Sequence, residues 1–192
     1  MHNSLPEEVT GDAGFGSEEN YNFLDENQIT PYVKYNYFHK EQRKKWKDEL
    51  FRIENLYYNK KDDCFYCPMG QIMSKIGNKT QKTKTGFIQH ITMYQAVRCK
   101  DCPLRGLCHK AKGNRIISVN HNLKRHKQKI KKLLTSEAGI AHRKQRAWDV
   151  EGTFGILKQN KGFRRFLLRG LQNVEIETGL LAIAHNLAKM SA

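Results

Sequence analysis

Glu8-Val9-Thr10-Gly11-Asp12-Ala13-Gly14-Phe15-Gly16-Ser17-Glu18-Glu19-Asn20 decides the fold class of this chain. Glu8 to Gly11 reads as a short strand that runs into a glycine-rich turn opened by Asp12. Ser17 is a good helix N-cap, with Glu18 and Glu19 in the first turn where carboxylates suit the helix dipole. Tyr21, Phe23 and Leu24 give that helix an apolar side. Ile29 to Tyr35 then reads as a second strand, with Tyr32-Val33-Lys34-Tyr35 at its centre. Strand, helix and strand in succession make the opening α/β. An aspartate in the turn after a strand projects its carboxylate at the strand's carboxyl end, where open α/β sheets place their sites.

Working outward, the sequence predicts three parts. Residues 1–56 hold this opening and a charged stretch, 36–56. There Trp46, Leu50, Ile53 and Leu56 fall at roughly helical spacing and predict a helix. Residues 57–120 carry all five cysteines of the chain. Within them, polar Gly77 to Thr85 predicts a hairpin tip or loop. Residues 121–192 read as helical and basic.

Composition bounds the function. The chain has 192 residues, with 34 Lys and Arg against 19 Asp and Glu, a net charge of +15. Such an excess points to a polyanionic partner, nucleic acid before an anionic membrane surface. No apolar run approaches the roughly 20 residues that span a bilayer. Met1-His2-Asn3-Ser4-Leu5-Pro6 lacks the basic flank and apolar core of a signal peptide. A cytosolic or nuclear protein is expected. Cysteines in a reducing compartment favour metal binding or free thiols over disulfides.

The thiols read Cys64-Phe65-Tyr66-Cys67-Pro68-Met69-Gly70 and Cys99-Lys100-Asp101-Cys102-Pro103-Leu104-Arg105-Gly106-Leu107-Cys108-His109. Two C-x-x-C pairs on separate segments fit a tetrahedral zinc site. Spacing alone would choose Cys64, Cys67, Cys99 and Cys102. Cys108 is then left over, so spacing does not settle the four ligands.

From Arg98 to Lys132 there are twelve Lys and Arg and one acid, Asp101. That density suits contact with phosphates. A second basic run, Gly162-Phe163-Arg164-Arg165-Phe166-Leu167-Leu168-Arg169-Gly170, sets aromatics between arginines. It follows Trp148-Asp149-Val150-Glu151-Gly152-Thr153-Phe154-Gly155-Ile156-Leu157-Lys158. Glu151 and Lys158 are seven residues apart, about two α-helical turns, so they are expected on one face. A carboxylate and a cation there suit a site that holds a metal ion and a phosphate together. Alone, Asp12 or Glu151 reads as a capping or surface acid. Together they read as a pair able to share a metal.

These blocks resemble the carboxyl-terminal part of bacterial insertion-sequence DDE transposases, whose catalytic domain is ribonuclease H-like. Thr10 to Tyr21 is similar to the block around the family's second catalytic aspartate, and Tyr32-Val33-Lys34 to the strand that follows. Cys67 to Gly70 and Cys99 to Cys108 resemble a cysteine-rich insertion between the second and third acids. Val150 to Lys158, with Gly162 to Gly170, resembles the block around the third acid. The tail Gly179-Leu180-Leu181-Ala182-Ile183-Ala184-His185-Asn186-Leu187 is also similar.

The resemblance implies an α/β fold: an incomplete ribonuclease H-like domain interrupted by a small zinc-binding insertion, with a helical carboxyl-terminal part. It implies Asp12 and Glu151 as catalytic acids that hold Mg²⁺ or Mn²⁺. Lys158 would contact DNA near the scissile phosphate, with Arg164, Arg165 and Arg169 also on DNA. It moves the zinc set to Cys67, Cys99, Cys102 and Cys108, with Cys64 as the alternate. Related transposases often carry an arginine four positions before the glutamate. Here that position is Ala147, beside Arg146.

The implied partners are DNA at transposon ends and either a second copy or a missing amino-terminal part, and no membrane. The implied location is the bacterial cytoplasm, at the nucleoid. Asp12 is the first aspartate of the chain. The first catalytic aspartate is therefore expected to be absent, and the chain to be a truncated transposase, inactive alone. The alternative is a zinc-stabilised basic module that binds nucleic acid without chemistry.

Overall fold

The computed structural model describes residues 4–191, and the side chain of Glu151 lies outside that description. The chain forms two units, Met1–Gly139 and Ile140–Ala192. No described helix is long and apolar enough to cross a membrane.

The first unit opens with β1 (Glu8–Gly11), the helix α1 (Glu18–Glu26) and β2 (Thr30–Val33). The two strands pair in parallel, from Glu8 opposite Thr30 to Gly11 opposite Val33. The Ser17 hydroxyl caps α1 by accepting from the Asn20 amide at 3.2 Å. Further on, α2 (Lys44–Lys47) is a single turn. Five strands then form one antiparallel meander: β3 (Tyr57–Asn59), β4 (Cys64–Tyr66), β5 (Ile72–Lys82), β6 (Ile88–Ala96) and β7 (Ile116–Val119). A short α3 (Arg105–Cys108) lies between β6 and β7. The unit closes on α4 (His121–Thr135), and α5 (Glu137–Arg146) crosses into the second unit.

Two apolar clusters hold this unit. Tyr21, Leu24, Ile29, Tyr32, Val33, Tyr35 and Phe38 pack with Ile130 and Leu134 of α4. Ile130 and Leu134 are four residues apart, so one stripe of a very basic helix is apolar. Burying each is worth about 1.5–3 kcal/mol. Leu56, Phe65, Met73, Tyr94, Ala96, Cys99, Ile117 and Val119 form the second cluster inside the meander.

Two expectations need correction. Residues 36–56 are not one helix: turns surround α2, and a 3₁₀ turn covers Ile53–Asn55. Their apolar residues do not share a buried face. Leu50 is 64% exposed, whereas Leu56 belongs to the meander's core. Trp46 instead stacks under the Arg52 guanidinium, 3.5 Å from the ring centre. The Asn55 amide donates to the carbonyls of Trp46 and Glu49 at 2.8 and 2.9 Å. It thereby competes with helix continuation. Gly77 to Lys82 is not a loop either, since β5 pairs residue by residue with β6 out to Lys82 opposite Ile88. The polar segment takes its strand form from the β-branched partner strand.

In the second unit the chain stays helical from α5 through α6 (Gly152–Gly155) to Asn160. Its winding widens to π-type turns at Ala147–Glu151 and Ile156–Asn160. Such turns are rare and concentrate at functional sites. After an irregular segment, α7 (Leu171–Met190) completes the unit.

Candidate active site and cysteine cluster

Asp12 stands at the carboxyl end of β1, where its backbone leaves the strand. Its carboxylate accepts from the Ala13 amide at 2.7 Å and caps the 3₁₀ turn Ala13–Phe15. The Lys34 ammonium, just past β2, lies 3.6 Å from the same oxygen. The Asp12 side chain remains 56% exposed, so a hydrated cation can approach it.

The turn that carries Asp12 is fixed by close packing. A Cβ on Gly16 would stand 2.3 Å from the Lys34 carbonyl and 2.7 Å from the Tyr35 Cα. Only glycine allows that approach. Beside it, the buried Tyr21 hydroxyl donates to the Val33 carbonyl at 3.0 Å, and burial raises its pKa. The Asn20 amide donates to the Phe15 carbonyl at 2.8 Å. Helix α1 and the end of β2 thus hold the Asp12 turn from both sides.

Glu151 ends the first π-type turn of the second unit, and Lys158 lies in the second such turn. The α-helical repeat that would set them on one face does not run through this stretch. The Lys158 ammonium lies 5.8 Å from the centre of the Phe154 ring. Arg164, Arg165 and Arg169 are exposed. Phe163 and Phe166 meet edge to face at 5.2 Å. The Glu177 carboxylate accepts from the Leu167 and Leu168 amides at 3.0 Å. That contact ties the arginine-bearing segment to α7. Asp12 belongs to the first unit and Glu151 to the second.

All five cysteines are free thiols. Cys67, Cys99, Cys102 and Cys108 line one pocket, together with His109 and Arg115. Cys64 lines a different one, with Asp62, Asp63 and Lys75. Arg115, which sequence reading did not single out, donates its amide to Cys99 Sγ at 3.3 Å and a guanidinium N–H to Cys108 Sγ at 3.1 Å. Both ring nitrogens of His109 are buried with no hydrogen-bond partner among the described residues. Its pKa is lowered by burial, then by Arg105 and Arg115. Among the described residues, no three metal-ligating side chains are grouped closely enough to share an ion. Four thiols line this pocket, with Arg115 N–H groups aimed at two of the sulfurs.

The family model described as a transposase DDE domain matches residues 66–191, more than half of the chain. The chain belongs to the DDE transposase family. The matched region begins at Tyr66, so it takes in four of the five thiols and Glu151 to Arg169 and leaves Asp12 outside. Neither the curated proteins nor the solved structures give a match. Membership in this transposase family makes DNA the substrate and divalent metal ions the general cofactor. The mixed fold, with its antiparallel sheet and helices, is consistent with such a domain.

Proposed function

We propose that this chain works in DNA strand cleavage and transfer during the movement of a bacterial insertion sequence. Asp12 and Glu151 are two of the family's catalytic acids. The observation that carries the reading for Asp12 is its half-exposed carboxylate on a fixed turn at the carboxyl end of a parallel strand. The Asp12 carboxylate would hold a divalent ion there, which would supply Lewis-acid stabilisation of the attacking and leaving oxygens in an in-line displacement at phosphorus. The Ala13 amide holds one Asp12 oxygen and so orients the other. The Lys34 ammonium neutralises that carboxylate until a stronger cation displaces it. Lys158, Arg164, Arg165 and Arg169 hold backbone phosphates and fix the register of the substrate.

On this reading the β1–α1–β2 unit belongs to a ribonuclease H-like sheet. Residues 57–120 form the insertion, with zinc on Cys67, Cys99, Cys102 and Cys108 as a structural ion. Residues 121–192 form the helical carboxyl-terminal part.

The test is metal-directed backbone cleavage, which does not depend on turnover. The chain is loaded with Fe²⁺ in place of Mg²⁺, in the presence of duplex DNA, and treated with ascorbate and peroxide. Cuts are expected beside residues 12 and 151, suppressed by excess Mg²⁺ and lost in Asp12→Asn and Glu151→Gln. Cuts that are absent at both places, or unchanged in both variants, would leave a nucleic-acid-binding module without chemistry and overturn the proposal.

A further inference from the structure

The β5–β6 hairpin is longer than the sheet that carries it. β4 pairs with β5 only at Ile72 and Met73, and β7 pairs with β6 only from Thr92 to Gln95. Beyond these, Lys79–Lys82 and Ile88–Ile91 form a two-stranded ribbon with no third strand. The register shifts between Lys75 and Gly77, which marks a bulge at Ile76. A bulge bends a ribbon and re-aims its outer part.

The outer part is aimed at α1. The Thr85 hydroxyl at the tip donates to Glu19, and the Gln89 amide donates to Glu18 at 3.1 Å. Both acids lie in the first turn of the helix that leaves the Asp12 turn. The ribbon tip is therefore docked on the first turn of α1, six and seven residues along the chain from Asp12.

Its chemistry is one-sided. From Ile72 to Ala96 there are four lysines and no acid. Lys75 is neutralised by Asp63 at 3.3 Å. Lys79, Lys82 and Lys84 are exposed and pair with no carboxylate among the described residues. Opposed residues of an antiparallel pair share a face. Gln81 shares its face with Gln89, which reaches α1. Asn78, Thr80, Lys82, Ile88 and His90 therefore lie on the other face, and all five are exposed. Edge lysines often serve only to keep a sheet from aggregating. That role does not explain a tip tethered to α1 at two points.

We propose that this ribbon is a DNA-binding arm that lies in the major groove of the substrate duplex and leads it to the Asp12 turn. A two-stranded ribbon fits that groove. Lys82 on the groove face, Lys84 at the tip and Lys79, whose long side chain reaches past the ribbon's edge from the Gln81 face, contact phosphates, while Asn78, Thr80 and His90 face the base edges. The path to Asp12 rests on the reading of that residue as a catalytic acid. The groove contact does not.

The experiment measures binding of the full chain to a fluorescent duplex by anisotropy over a series of salt concentrations. Changing Lys79, Lys82 and Lys84 together to Ala should weaken binding roughly tenfold or more, and make the slope of log K against log salt shallower by about 2–3. The equivalent Lys→Arg triple should bind like the original chain. Changing Lys44, Lys45 and Lys47 to Ala removes the same charge from another exposed segment, and should leave the slope near its original value. A photo-crosslinker at Thr80 should capture duplex in preference to single strands.

Equal losses in the two Ala triples, or crosslinking only to single strands, would overturn the proposal. Capture at Thr80 with no metal-directed cut at residue 12 would sink the catalytic reading of Asp12 and spare the arm.

Discussion

Cys64 and Cys67 are three positions apart and have different surroundings. Cys64 is buried inside β4, opposite Asn59. Cys67 has left the strand for a tight turn in which the Gly70 amide donates to its carbonyl at 2.8 Å. Spacing reads the two as one ligand pair, but the strand's end separates them, and no sequence rule marks that end sharply. Arg115 was illegible for a related reason. It meets Cys99 and Cys108 only because β7 returns beside β6. Asp12 and Ser17 were legible because capping and strand-end chemistry are local. The proposed zinc set follows from this contrast. Metal analysis of protein purified without chelator should find about one zinc per chain. Cys64→Ala should keep that content, and Cys102→Ser should lose it. Zinc retained by Cys102→Ser and lost by Cys64→Ala would show the set to be wrong.

At the scale of elements, the sequence patterns that failed were those whose partners lie far away. Trp46, Leu50, Ile53 and Leu56 share no single buried face, because Ile53 and Leu56 turn to the meander's core while Leu50 stays exposed, and polar Gly77–Lys82 had a ready partner strand. The junction of elements with most at stake is Glu18. It is only 4% exposed, and its carboxylate accepts from Gln89 of β6, from Asn120, which caps α4, and from Asn122 of α4. Three neutral amides from two distant elements thus converge on one buried acid. Glu18→Gln keeps the shape and turns one acceptor into a donor, leaving at least one amide facing another. The expected loss is about 1–3 kcal/mol of stability. It is read from urea unfolding, following Trp46 fluorescence in a Trp148→Phe background. Trp148 is 81% exposed, so that replacement itself should be mild. Unfolding of Glu18→Gln at the original urea concentration would refute the welding role of Glu18.

For the molecule as a whole, charge connects stability to function. A net +15 suits a DNA partner and also makes the chain repel itself, more so as its eight histidines gain protons. Two of those histidines are built into the first unit as neutral rings. His126 is 3% exposed, stacks on Tyr21, and donates to Asn22 Oδ1 at 2.8 Å. Its pKa is lowered by burial and by Arg125 and Lys129, against the opposing pull of Asp25 and Glu18. His121 meets the Tyr94 hydroxyl at 2.7 Å. Burial lowers its pKa most, with Lys124 and Lys75 adding to the shift and Asp63 opposing it. A folded pKa below the unfolded value of 6.5 means that the unfolded chain takes up the proton first. The contribution is therefore complete above pH 6.5 and is lost as the pH falls from there toward the folded values. Each such histidine can contribute a slope of up to about 1.4 kcal/mol per pH unit in that window. A second loss follows as the pH falls below about 3.8 toward the lower folded values of Asp63 and Asp25, because the unfolded chain's carboxyls take up protons first. Tyr94 and Lys129 respectively are the main groups that hold those two carboxyls below their usual range. The urea midpoint of the Trp46 signal should fall between pH 7.5 and 5, and His126→Gln should flatten that fall while lowering the midpoint at pH 7.5. A midpoint constant across this range would mean that both rings titrate alike in the folded and unfolded chain.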